Sequence, residues 1–202
     1  CINKSAFSDC NYLSKIKFSK ESNLLSIGPL SFFNSCDLNI TLPSSVNEIG
    51  NNAFSDSKLK KIRLPKNPCF RLSDSSVFSK TSLSKIIIPS NVIEIEKYGL
   101  SECDHLESVN FSPNSKLRTI NEFAFYKSSI LKISIPSSVK EIKEKAFYDC
   151  CNLDEVTFEP NSQLKVIESY AFYNSSIVRI TFPEKLISIG KFAFSKCMNL
   201  NE

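Results

Sequence analysis

The phrase Ile-x-x-x-Ala-Phe returns again and again along this chain, and no other feature limits its fold so strongly. It runs from Ile2 to Phe7, Ile49 to Phe54, Ile120 to Phe125, Ile142 to Phe147, Ile167 to Phe172 and Ile189 to Phe194. Looser copies span Ile27 to Phe32, Leu72 to Phe78 and Ile95 to Leu100. Successive lead residues lie 25, 22, 23, 23, 25, 22, 25 and 22 positions apart, so longer and shorter units roughly alternate. A tandem period of this length is the signature of a solenoid, in which each unit packs only on its neighbours.

Each unit continues with a hydrophobic residue, two variable ones, Ile or Val, one variable residue, then Phe, Ile or Leu, often followed by Pro. Examples are LKKIRLP (59–65), ILKISIP (130–136), LDEVTF (153–158) and IVRITFP (177–183). Alternating β-branched residues closed by Pro read as a short strand that stops where its ladder donor is lost. A turn follows, PSSV in short units and SPNSKL or EPNSQL in long ones, then a buried aliphatic three residues before the next lead Ile. Strands separated by whole units must stack in parallel, giving one sheet of about eight short strands along one side. The xxAFxxC segment is too short for an independent helix and is expected to form one or two turns, some of it 3₁₀.

The chain holds 16 Phe and no Trp, and half of the Phe fall in one column: Phe7, Phe32, Phe54, Phe78, Phe125, Phe147, Phe172 and Phe194, with Leu100 in the remaining slot. Small residues (Ala6, Ser31, Ala53, Gly99, Ala124, Ala146, Ala171, Ala193) precede them and leave room for a stacked spine. The stretch IPSSVKEIKEKAFYDCCNLDEVTF (135–158) resembles the leucine-rich repeat of the BspA-like, treponemal type, as in trichomonad or amoebic surface proteins. The resemblance spans the whole chain. It implies a right-handed leucine-rich repeat solenoid, β-rich α/β, and a cell-surface or secreted protein with roles in adhesion and host–parasite contact. Residues 1–202 then read as one solenoid domain of eight to nine repeats, cut mid-repeat at both ends and so expected to be a piece of a longer array.

Eight cysteines raise the question of disulfides or metal. Three residues past each spine position stand Cys10, Ser35, Ser57, Thr81, Cys103, Ser128, Cys150, Ser175 and Cys197, so thiols and small hydroxyls share a column. Column cysteines two coils apart would be separated by about 10 Å, beyond the roughly 7 Å a disulfide tolerates. A buried file of weakly polar groups bonding to backbone is the better reading. Cys69 is assigned to a core slot shared with Val46, Val92, Val139 and Leu186, leaving Cys1, Cys36 and Cys151 as poor partners in different units. The pair at 150–151 points to different sides, so no metal is expected.

Nothing in the sequence assembles catalysis, and no cofactor is implied. His105 is the sole histidine, in a variable position before Leu106, with no phosphate loop or nucleophile elbow beside it. Serine runs lie in turns or in the small-residue column, and Glu141 and Glu144 are spaced like solvated loop residues. No window reaches the roughly 18 apolar residues of a membrane-spanning helix.

The two neighbours of each buried strand residue should face outward: Lys15, Lys17, Asn39, Thr41, Lys61, Arg63, Lys85, Ile87, Ser108, Asn110, Lys132, Ser134, Glu155, Thr157, Arg179 and Thr181. Seven are basic and one acidic, a net +6 that leaves −2 for the rest of a chain whose total is +4. Such a face suits an acidic protein segment, a sulfated or sialylated glycan, or an anionic cell surface. The same lysines would also serve simply to keep an exposed sheet soluble. Specific nucleic-acid binding is not expected, since no aromatics are interleaved at these positions. A structural or self-assembling spacer and an intracellular scaffold are the alternatives. Glycosylation triplets at Asn3, Asn39, Asn110 and Asn174 permit modification, and sugars on Asn39 or Asn110 would block the face. Free thiols favour a reducing compartment while the family resemblance favours the cell surface; burial of the thiols reduces that conflict.

Overall fold

In the computed structural model, residues 1–13, 15–35, 38–67, 69–70, 72 and 75–201 are described, and they wind into stacked coils that each start at a lead residue. The strands of the expected sheet form, all parallel but in two paired sets among the described residues: β2 (Asn39–Thr41) with β4 (Lys61–Arg63), and β5 (Lys85–Ile88), β7 (Ser108–Phe111), β9 (Lys132–Ile135) and β11 (Glu155–Phe158) in one row. Burial alternates as the pleat requires: Ile133 and Ile135 point in, Lys132 and Ser134 out. A second ladder departs from the single sheet expected. The lead residues themselves pair in two-residue strands: β1 (Ser26–Ile27) with β3 (Glu48–Ile49), and β6 (Glu94–Ile95), β8 (Thr119–Ile120), β10 (Glu141–Ile142), β12 (Val166–Ile167) and β13 (Ser188–Ile189) in one row. Two residues per coil are too few to show an alternation in sequence, which is why only the buried Ile was legible.

The Ala-Phe segment is not helical. Residues with left-handed φ occur in pairs four apart, such as Asn52 (53°) and Asp56 (57°), and a right-handed turn cannot pass through them. Alternate donors then do different jobs. The N–H groups of Ala53, Ser55 and Ser57 close local turns onto Gly50, Asn52 and Phe54, while those of Asn52, Phe54 and Asp56 reach Ser75, Val77 and Ser79 of the next coil. The arc is therefore a third coil-to-coil ladder that satisfies its own polar groups. Turn side chains add ties: the Ser45 and Ser138 hydroxyls donate to Leu24 and Leu117 carbonyls, and the Asn67 amide to that of Val46.

Inside, the spine forms as expected. Phe7, Phe32, Phe54 and Phe78 stack at centroid distances of 5.2, 5.1 and 5.7 Å, and Phe125, Phe147, Phe172 and Phe194 at 4.8, 4.8 and 5.1 Å. Leu100 fills the intervening slot and is buried. One assignment fails: Cys69 is exposed, and Phe70 occupies the Val46 slot instead. Its N–H bonds the Asn67 carbonyl as Val46 N–H bonds that of Pro43, so this turn is two residues longer after Pro65, and Leu72, six rather than five residues before its spine Phe, put the count one residue early.

The thiol column is a hydrogen-bonded file. Thr81 Oγ1 and Cys103 Sγ both donate to the Phe78 carbonyl, at 2.9 and 3.1 Å, and Ser175 Oγ and Cys197 Sγ share that of Phe172 at 2.9 and 3.2 Å. The shorter hydroxyl serves its own coil, and the longer thiol reaches back to the preceding one. Burial pushes Cys103 up to about 11 and Cys150 up to about 12. All described cysteines are free; Cys36 lies outside the described residues.

Truncating the spine in its best-packed stretch, Phe147→Ala, should cost about 3–5 kcal/mol in urea unfolding, whereas Phe147→Leu, which copies Leu100, should retain most of that. Ser31 Oγ is the one buried side-chain oxygen without a partner among the described residues, and Ala stands at its position in most other coils. Ser31→Ala should therefore raise stability by roughly 1 kcal/mol. Native-state alkylation should modify Cys1, Cys69 and Cys151 first and reach Cys103 and Cys150 only on unfolding. Because the folded chain keeps the last two protonated above their ordinary value of 9.0, stability should be fully present below about pH 9 and fall as pH rises towards 11. The slope approaches about 1.4 kcal/mol per pH unit per thiol, and Cys103→Ser with Cys150→Ser should flatten it.

Candidate functional site

Parallel pairing lines up the outward strand positions in two columns, interrupted between β4 and β5, which are neighbours without strand pairing among the described residues. Register places Asn39 beside Lys61 and Thr41 beside Arg63, then Lys85 beside Ser108, Lys132 beside Ser108 and Glu155, and Ser134 beside Thr157. The first column carries the charge: Lys61, Lys85, Lys132, Glu155 and Arg179. The second, after Arg63, is mostly amide and hydroxyl, apart from Ile87, which is 57% exposed. Lys15 and Lys17 are exposed on an extended segment outside any named strand.

Charge is not spread evenly over this face. Lys132 Nζ lies 3.8 Å from Glu155 Oε2, and Glu155 bridges through its backbone to Arg179. The one acidic side chain thus sits between the two C-terminal basic residues of the set. Lys61, Arg63 and Lys85 have no acidic column neighbour in register, so the positive field concentrates on β4 and β5. Exposed Lys58, Lys60 and Lys66 flank the same strand and reinforce it. The run KLKKIRLPK signalled this in sequence, but the two-neighbour rule passed over it.

The sheet also opens at intervals. β7 and β9 pair only at Ser108 and Lys132, and β11 meets the next coil only at Glu155 and Arg179. Both gaps follow a long turn, SPNS or EPNS, whose added residues draw the strand end away from the next coil. Beyond the first lies a shallow groove of about 450 Å³ with Phe111 and Thr157 in its wall, and beyond the second one of about 900 Å³ lined by Phe158, Thr181 and Phe182.

Other residues singled out by sequence fall as follows. His105 is exposed, in a polar recess with Glu102, Asp104 and Lys127. Glu141 and Glu144 are not loosely solvated loop residues: Glu141 belongs to β10 and pairs with Lys143 at 2.7 Å, Lys143 also contacts Glu168 at 3.0 Å, and Glu144 pairs with Lys145 at 3.0 Å. Hydrogen bonds that it donates to the Glu141 and Glu168 carboxylates hold the Lys143 ammonium well above the usual lysine range. Among the described residues, no group of three or more His, Cys, Asp or Glu side chains is placed to hold a metal ion. Asn39 and Asn110 are exposed on the sheet, whereas the Asn174 amide donates to Asp149.

One surface was missed altogether. On the Ala-Phe arc of the later coils, Tyr98 stacks on Phe123 (4.9 Å), Tyr148 on Tyr173 (4.7 Å) and Tyr170 on Phe192 (5.2 Å), with Tyr126 bridging Phe123 and Tyr148 at 5.7 and 6.0 Å. Lysine ammoniums lie over these rings: Lys127 over Tyr126 at 5.1 Å, Lys196 over Tyr173 at 5.2 Å, and Lys145 over both Phe123 and Tyr170 at 5.3 and 5.6 Å. Hydrogen bonds to Tyr126 and Tyr173 raise the Lys127 and Lys196 pKa values. Tyr98, Phe123, Tyr170 and Phe192 all stand at left-handed φ, 56° to 58°, where a bulky side chain costs about 1 kcal/mol or more. The equivalent positions of earlier coils hold Ser5, Leu30, Asn52 and Ser76. The aromatic columns were readable two residues before and one after each spine residue, but only the spine itself was tracked.

Solved structures share this architecture. The pneumococcal vaccine antigen PcpA superposes with a TM-score of 0.64 at 22% identity over 89% of the chain, which spans about half (55%) of the PcpA chain. A leucine-rich repeat protein from Bacteroides ovatus matches with a TM-score of 0.51 at 21% identity, over 98% of this chain and 81% of that one. Comparison with curated protein sequences gives no match. The model of the BspA-type leucine-rich repeat region matches in six copies, over residues 1–114 and 71–201. By that coverage and by its coil-to-coil architecture, the chain belongs to the BspA-type leucine-rich repeat family.

Proposed function

We infer that this chain is a non-enzymatic protein-binding module of a cell-surface or secreted repeat protein, and that it docks an acidic protein partner on its sheet face. The observation that carries the reading is the cluster of exposed basic side chains on the neighbouring strands β4 and β5, in a chain whose overall charge is only +4. Lys61, Arg63 and Lys85 form its centre, with Lys15 and Lys17 at one end. Lys132 and Arg179, flanking Glu155, contribute less. Long-range attraction of this kind speeds encounter and selects partner charge more than it adds affinity. The grooves beside β9 and β11 give the same face recesses for apolar side chains, which a uniformly charged wall would lack. Membership of a repeat family supports protein binding as the role. The surface location draws on PcpA being described as a vaccine antigen. No helix among the described residues is long and apolar enough to cross a membrane.

Elution from immobilised poly-L-glutamate against a salt gradient tests the docking role. The variant Lys61→Ser/Arg63→Ser/Lys85→Ser should release at clearly lower salt than the native chain, and Lys132→Ser/Arg179→Ser should shift it less. Identical elution of all three would leave the lysines as solubilising residues only. Retention on heparin without retention on polyglutamate would assign the face to a sulfated glycan instead.

A further inference from the structure

We propose that the partner of the sheet face is an amphipathic helix lying along the solenoid axis, with its acidic N-terminal turns over β4 and β5 and two apolar side chains, two helical turns apart, in the recesses beside β9 and β11. This rests on the docking role inferred above and adds the partner's form, direction and spacing.

The spacing is set by the coils. At the spine, Phe125 and Phe147 lie 4.8 Å apart, as do Phe147 and Phe172. The first recess opens between β7 and β9 and the second between β11 and the following coil, so their centres are two coils, or about 10 Å, apart. Glu155, Thr157 and Glu159 line both, which makes the two recesses parts of one trough that crosses the strands. Side chains on one face of an extended strand recur every ~6.8 Å and step past this interval. On an α-helix, positions seven residues apart share a stripe and are separated by about 10.5 Å. β5 and β4 precede the first recess by roughly 7 and 12 Å along the axis at the same coil spacing. Carboxylates one and two turns before the first apolar anchor, at about 5 and 11 Å, therefore come within reach of the long Lys85, Lys61 and Arg63 side chains.

Charge sets the direction. Lys58, Lys60, Lys61, Arg63, Lys66 and Lys85 are all exposed and make the β4–β5 end of the face basic. The first recess has an apolar lining from Val109, Phe111 and Ile133 beside the uncharged Ser108, Asn110 and Ser134. Around the second, Asp154, Glu155, Glu159 and Glu184 outnumber Arg179 and Lys185, and Phe182 is 39% exposed within it. A uniformly acidic segment would be attracted at one end of this face and repelled at the other. A helix is itself stabilised by carboxylates in its first turn and by cations in its last. One orientation satisfies both the helix and the face: N-terminus over β4 and β5, apolar stripe over the trough, and lysine at the C-terminal end beside Glu159 and Glu184.

Fluorescence anisotropy of labelled synthetic helices, titrated with the full chain, tests this. The matched peptide carries Glu in its first two turns, Leu at two positions seven apart, and Lys in its last turn. One control moves the Leu pair to five apart, on nearly opposite sides of the helix, and a second exchanges the Glu and Lys ends. The matched peptide should bind about tenfold more tightly than either. Thr157→Arg, a bulky change at an exposed position that lines both recesses, should abolish the preference over the five-apart control. Lys61→Ser/Arg63→Ser/Lys85→Ser should abolish the preference over the charge-exchanged one. Equal binding of the matched and five-apart peptides, or an undiminished preference in Thr157→Arg, would overturn the proposal while charge-dependent retention on polyglutamate kept the docking role. Retention that ignores the basic residues would remove both. Tighter binding of an acidic proline-rich peptide with apolar residues three apart would also overturn it, in favour of an extended polyproline segment.

Discussion

Coil-to-coil hydrogen bonding around most of the perimeter is the constraint on which everything else rests. Within each paired set, a coil meets the next through the main sheet, through the two-residue lead ladder and through alternate donors of the Ala-Phe arc. An individual coil buries too little to be stable alone, and it becomes ordered only because its polar backbone groups find partners above and below. Once adjacent coils are locked in register, equivalent side chains must form continuous columns. The phenylalanine spine, the hydroxyl–thiol file, the basic column and the aromatic strip are all consequences of that one geometric rule.

This is also why so much was legible beforehand. A column of Phe at fixed spacing has one physical meaning in a repeat, and the same logic placed Cys103 and Cys150 inside and unpaired. The misreadings share a cause as well. Cys69 was placed by counting back from Leu72, which lies six residues before its spine Phe78 where every other lead lies five before its own, so the count landed one residue early. The left-handed pairs at Asn52 and Asp56 carry no glycine signal, because asparagine, aspartate and even lysine or tyrosine serve there, so the arc read as a helical turn. Even spacing predicted a continuous sheet, whereas the gaps after Ser108 and Glu155 depend on how the longer turns lie in space. The candidate basic residues were found, but their unequal weight was not, since it depends on Glu155 lying between Lys132 and Arg179.

The two surfaces differ along the axis as well as around it. Positive charge on the sheet is concentrated on β4 and β5, while the aromatic strip belongs to coils that start at Ile95 and beyond. A uniform scaffold therefore carries non-uniform decoration. Side chains that face outward are free to diverge from coil to coil, whereas those in the spine are held to Phe or Leu by the space their neighbours leave.

The hydroxyl–thiol file has an evolutionary corollary. Thr81 and Cys103, Ser128 and Cys150, and Ser175 and Cys197 are couples in which a short donor and a long one face each other across neighbouring coils. Cys103, Cys150 and Cys197 recur every 47 residues, as do Phe111 and Phe158 beside the sheet openings. Ser35, Ser57 and Thr81 show that neighbouring hydroxyls are tolerated, but from Thr81 onward a lone coil copied or deleted would break the 47-residue phase of couples and openings. Gains and losses of length in that stretch are thus expected in steps of two coils, with the couple, rather than the single repeat, as the heritable module.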